Sequence, residues 1–150
     1  MSKLMTRVMQ NWQELSSTSH YQTAMAIRQA LHEGDVGDAT IGIEELIEAL
    51  SRSDKRALRS HLIGLMKHIV KWKSQPEGRS LSWSASIRNA REEIADIQEE
   101  IPSLTEAVIR QMWDKCFSAA KREAEGEMNQ KTPIAGLSWG EVFEDPYDLN

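Results

Sequence analysis

Leu4, Val8, Trp12 and Leu15 recur every three or four residues, which predicts a first helix from about Lys3 to Leu15. Ser16-Ser17-Thr18-Ser19 then breaks it, because short hydroxyl side chains compete for backbone hydrogen bonds, and the same cluster offers caps for a second helix. That helix has Ala24, Ile27 and Leu31 on its stripe and ends at Gly34. Two glycines and two aspartates between Gly34 and Thr40 make a turn, followed by a third helix with Ile43, Ile47 and Leu50 on one face. It is expected to stop at Ser51-Arg52-Ser53, where Ser53 would cap the next helix. The alternative is one bent helix through this point.

The fourth helix carries the cleanest stripe, Leu58, Leu62, Leu65, Ile69 and Trp72. Pro76 and Gly78 make Ser74 to Ser80 a loop. A fifth helix from about Ser82 repeats the logic with Trp83, Ile87, Ala90, Ile94, Ile97 and Ile101, and Pro102 closes it. Ser103 and Glu106 form a capping box that opens a sixth helix through Val108, Met112, Cys116, Ala120 and Ala124. Gly126 to Gly136 reads as a loop. Ser138 and Glu141 form a second capping box, for a short helix over Trp139 to Phe143 that Asp145-Pro146 stops.

Each amphipathic stripe needs a facing stripe, so the expectation is an all-α antiparallel bundle of four to five main helices with the fourth to sixth at its centre. Residues 1–150 are read as a single domain. Residues 1–16 form an extension helix, which one alternative packs on another copy of the chain, and 126–150 form a loop, short helix and tail. Composition agrees: five valines and nine aromatics against many Ala, Leu, Glu, Lys and Arg favour helix over strand. The lone Cys116, read as a core residue, excludes an internal disulfide and a cysteine-based zinc site and suits a reducing compartment. The start lacks the apolar stretch of a signal peptide and no apolar run approaches the ~18 residues of a membrane span, so the cytoplasm is expected.

Charge changes the picture more. The net charge of -5 is the sum of two unlike parts: Arg52 to Arg91 holds ten basic and two acidic residues, +8, which leaves -13 elsewhere. Seven of these bases, Arg52, Lys55, Arg56, Arg59, Lys67, Lys71 and Lys73, lie opposite the apolar seam of the fourth helix. Such a stripe suits phosphates, or else it pairs with acids of the fifth helix (Glu92, Glu93, Asp96, Glu99, Glu100) or of other helices in the bundle.

His61 and His68 fall together at one border of the seam, about 10 Å apart along the axis, too far for one metal ion. Glu45 and Glu48 are natural acceptors for them if the third helix lies antiparallel to the fourth, which makes a structural polar network the plainest reading. No nucleophile motif or phosphate loop accompanies them. Trp72 and Trp83 bracket the loop that holds Arg79. Core packing is their plain role, and an Arg stacked on indole there would suit a protein-binding hot spot.

Ile43-Glu44-Glu45-Leu46-Ile47-Glu48, Ser53-Asp54-Lys55-Arg56-Ala57-Leu58, His68-Ile69-Val70-Lys71-Trp72, Gln75-Pro76, Arg79, Ser82-Trp83, Ile87-Arg88, Arg91 and Pro102-Ser103-Leu104 stand in a specific order. Over about residues 31 to 105 the chain resembles the bacterial domain-of-unknown-function family numbered 29, which is mainly cyanobacterial. Leu137 to Phe143 with Pro146 is a weaker match to the family's ending. The chain departs from the family in having Leu46 where a carboxylate is usual and Ser51 where glycine is usual. The resemblance implies an all-helical fold and no assigned activity. It marks Glu45, Glu48, His68, Lys71, Trp72, Gln75, Arg79, Trp83 and Arg91, expected to form one polar-aromatic patch between the third, fourth and fifth helices.

The first functional reading is a regulatory or accessory interaction module with a protein partner or self-association. The second is nucleic-acid binding through the basic stripe. The last is a metal-dependent or acid-base enzyme on Glu45, Glu48 and His68. No cofactor is implied and no small-molecule substrate is evident.

Overall fold

The computed structural model describes residues 11–149, so the part of the expected first helix before Asn11 lies outside the described residues. Asn11 opens the first described helix, its side-chain oxygen accepting the Glu14 N–H at 3.1 Å. That helix, α1 (Trp12–Thr18), runs on through the serine cluster that was expected to end it. The Ser16 and Ser17 hydroxyls donate to Gln13 O and Thr18 to Glu14 O, so these side chains bond back to the helix instead of competing with it. Ser19 makes the break. It is the C-cap of α1 and the N-cap of α2 (His20–His32), accepting Gln22 N–H at 3.0 Å. Gly34, at φ +82°, closes α2, and the Asp35 carboxylate accepts Asp38 N–H at the start of α3.

Helix α3 (Val36–Ser74) is the main correction to the expected layout: the third and fourth helices are one, unbroken through Ser51-Arg52-Ser53. Neither Pro nor Gly occurs between Ile43 and Ile63, and Arg52, Lys55, Arg56 and Ala57 are good helix formers, so two serines alone do not stop the helix. A 3-10 turn over Pro76–Gly78 follows, and Ser80 caps α4 (Leu81–Glu100) through Trp83 N–H. The next cap is Thr105, not Ser103, and the predicted sixth helix is two: α5 (Glu106–Gln111) and, after Met112, α6 (Trp113–Met128). Asn129, in the left-handed region at φ 53°, ends α6, so the helix passes Gly126 where a loop was expected. The capping box Ser138/Glu141 opens α7 (Trp139–Phe143) as predicted.

The chain divides into two compact units, residues 1–53 and 54–150. In the first, Trp12, Ile27, Ala30 and Ala39 are buried, with Leu15, Ala26 and Leu46 packed on them. Gly42 lets this core close: a Cβ there would lie 2.8 Å from both Ile27 and the Trp12 ring, whose N–H donates to Asp38 at 2.8 Å. In the second unit the predicted seam Leu58, Leu62, Leu65, Ile69 and Trp72 is buried against Ile87 and Ile94 of α4, Cys116 to Ala124 of α6, and Val142 and Tyr147 of the tail. The described residues are all-helical, without strands, and none of their helices is long and apolar enough to cross a membrane.

Candidate interaction surface

In the second unit, two of the residues marked from the sequence, Trp72 and Arg91, hold the chain's own C-terminal segment. The guanidinium of Arg79 lies 5.1 Å over the Trp72 ring, and its Nε donates to Trp72 O at 2.8 Å. Trp72 meets Tyr147 edge-on at 5.9 Å, and Arg91 lies 5.5 Å from the same tyrosine. Arg91 Nε donates to Val142 O at 2.8 Å, Ser84 Oγ to Tyr147 O at 2.7 Å, and the Tyr147 hydroxyl to Glu141 O at 2.6 Å. Lys71 stands 4.9 Å over Trp83, whose ring fills the space beside Gly78, and Gln75 reaches Gln130 at 3.3 Å. Three of these donors end on tail carbonyls, so they position backbone, as a structural clamp does.

The electrostatics follow from this packing. Burial lowers the Arg91 pKa, partly offset by Tyr147 and Asp145. Burial, with Asp145 and Glu141 adding to it, pushes the Tyr147 hydroxyl up to about 12. A cleft of about 340 Å³ between α4 and the tail is lined by Arg88 and Arg91 but also by Glu92, Glu144 and Asp148, so no single charge sign selects a ligand there. His68 Nδ1–H donates to Gly64 O of its own helix at 2.9 Å. Glu45 and Glu48 belong to the first unit and share one helix with His68, so the facing arrangement of two helices expected for them does not form. Among the described residues no three His, Cys, Asp or Glu side chains gather as a metal site. Cys116 is buried, which raises its thiol pKa and keeps it protonated and unreactive.

The basic stripe divides. Lys67 pairs with Glu127 at 2.9 Å and Glu123 at 3.8 Å, Lys71 with Glu127 at 3.0 Å, and Lys73 with Glu141 at 2.7 Å. The partners stand on α6 and α7, so of the two sets of acids the sequence offered it is those of other helices, not of α4, that pair with these lysines. Hydrogen bonds from Lys67 and Lys71 hold the Glu127 pKa below its ordinary value, and Lys73 with the Ser138 N–H does the same for Glu141. Arg52, Lys55, Arg56 and Arg59 stay exposed.

The first unit carries a surface that the sequence pattern had placed inside. Ile43, Ile47 and Leu50, expected in the core, are 42%, 59% and 42% exposed, and Leu31 and Val36 are exposed as well. With Val36 set at zero and 100° per residue, Ala49, Gly42, Leu46 and Ala39 fall at about 220° to 300°, and Leu50, Ile43, Val36 and Ile47 at about 320° to 20°. The covered face is the small one, because Trp12 and Ile27 press against Gly42. The large branched side chains are left a fraction of a turn away. Glu44 and Glu48, both exposed, border them. The legible signal was the second stripe itself: two adjoining apolar stripes offer a wider face than one neighbouring helix covers.

A family model, Domain of unknown function DUF29, matches residues 20–136. The chain belongs to this family. No curated protein and no solved structure matches it. The DUF29 match reaches further both ways than the stretch from 31 to 105 that carried the resemblance, and it includes both the exposed stripe of α3 and the residues Lys71 to Arg91. It stops before α7, so the capping box and Tyr147 lie outside it.

Proposed function

We propose that this DUF29 protein is an interaction module whose first unit takes a macromolecular partner on the Ile43/Ile47/Leu50 stripe, in a regulatory or accessory role. The carrying observation is that three large β- or γ-branched side chains at i, i+4 and i+7 stand in solvent on an otherwise ordered helix. Contiguous apolar surface rimmed by charge is characteristic of binding sites. The nucleic-acid reading is weaker, since Lys67, Lys71 and Lys73 are already neutralised by Glu127, Glu123 and Glu141.

The test is a photo-crosslinking amino acid placed at Ile47 in cells, with Glu99 of α4 as an exposed polar control. The expected result is a discrete adduct from position 47 and none from 99. An equal, diffuse pattern from both positions, or no adduct from either, would remove the reading.

A further inference from the structure

We infer that the occupant of this stripe is a second copy of the chain, bound with its own α3 antiparallel; this rests on the interaction reading above. The order of charge along one helix carries the inference. On α3 the exposed acids Glu44 and Glu48 come first and the exposed bases Arg52 and Lys55 follow. On the same angular scale Glu44, Lys55 and Glu48 fall at about 80°, 100° and 120°, one flank of the Ile43/Ile47/Leu50 stripe.

A two-fold axis that pairs antiparallel helices brings the same flank of both copies together, and self-complementary surfaces are the rule for such dimers. With the axis passing between Ala49 and Leu50, Glu44 of one copy and Lys55 of the other stand at the same height, about 8 Å from the axis along the helix. Ile47 and Leu50 of both copies then make the central apolar layer. Asp54, next on the line after Leu50, ends it. A parallel two-fold pairing would put this flank of the two copies on opposite edges of the interface, where Glu44 and Lys55 do not meet, so only the antiparallel orientation uses the charge match.

Sedimentation equilibrium of the full chain over a range of roughly 1 to 200 μM tests this. We expect a concentration-dependent dimer. Ile47→Glu raises its Kd by about 100-fold or more, because it places a charge in the central layer. Glu44→Lys alone and Lys55→Glu alone each weaken it by about 3- to 10-fold at low salt, and the two together return it to near the wild-type value. All three positions face solvent, so circular dichroism should report unchanged helix content, and the charge cycle remains decisive even if the Ile47 variant misfolds. A chain monomeric throughout the range, a dimer indifferent to Ile47→Glu, or a double reversal without rescue overturns the proposal. The crosslinker at Ile47 separates the two readings. An adduct between two copies supports the dimer, an adduct to a different protein overturns it while the interaction reading stands, and no adduct removes both.

Discussion

The two units use apolar residues in opposite ways. The second buries Leu58, Leu62, Leu65, Met66, Ile69 and Val70 completely, in a single core that also takes in the C-terminal tail. The first closes on Trp12, Ile27 and two alanines, and leaves Ile43, Ile47 and Leu50 outside. Both halves of α3 are amphipathic by the same periodicity. An amphipathic helix therefore declares that it has an apolar face, and only its neighbours decide whether that face is spent inside the chain or kept for something else.

The contrast is easiest to break with alanine. Leu62→Ala or Leu65→Ala should cost about 2–5 kcal/mol, the transfer term plus the cavity left in a packed core. Ile47→Ala should stay within about 0.5 kcal/mol of wild type by denaturant titration, done below the dimerisation range. A comparable loss at both sites would erase the distinction between the units.

Glycines probe the same difference through packing. Gly42→Ala must displace Ile27 or Trp12 and should cost about 1–3 kcal/mol, seen as faster amide exchange in α1 and α2. A methyl group at Gly64 would meet no neighbouring segment within 4 Å, so Gly64→Ala should instead stabilise α3 by about 0.5–1 kcal/mol.

Titration should sharpen the comparison by acting on the second unit. Burial raises the folded Tyr147 pKa from 10.0 to about 12, so its stabilising contribution is complete below pH 10 and is lost as pH rises toward 12. The loss is on the order of 2 kcal/mol. Tyr147→Phe should remove the late phase of a phenolate absorbance titration and flatten this alkaline limb.

The smallest effect is at acid pH. Glu127 and Glu141 are held below the ordinary value of 4.5, so their ion pairs stabilise above that value and fade as pH falls through the lower folded one. Both carboxylates remain partly in solvent, at 45% and 29% exposed, and each pair is worth only about 0.2–1 kcal/mol. Lys67→Met with Lys73→Met should reduce the acid sensitivity of urea midpoints, and 1 M salt should mimic the change.

Much of the fold was legible because helix signals are local. The all-α class, the seam from Leu58 to Trp72, the stop near Pro102 and the Ser138/Glu141 capping box each depend on spacing within a few turns. Misplaced boundaries had local causes too: hydroxyls at 16 to 18 bonded back to their own helix, and Ser51 to Ser53 lay among strong helix formers. The candidate site was harder to read. Lys71, Trp72 and Arg91 were singled out together, but they have partners among residues 127 to 147, which no spacing rule ties to residue 72.

By itself the sequence determined where the helices form, which positions along them are apolar, and that acids precede bases along α3, because each of these is a property of neighbouring residues on one strand of chain. Only the tertiary structure decided that the small face of α3 is the covered one, that Glu127 and Glu141 neutralise the lysines, and that Trp72 and Arg91 hold the tail. Those outcomes depend on how closely distant segments approach, and at Gly42 that distance is set by the absence of a single methyl group.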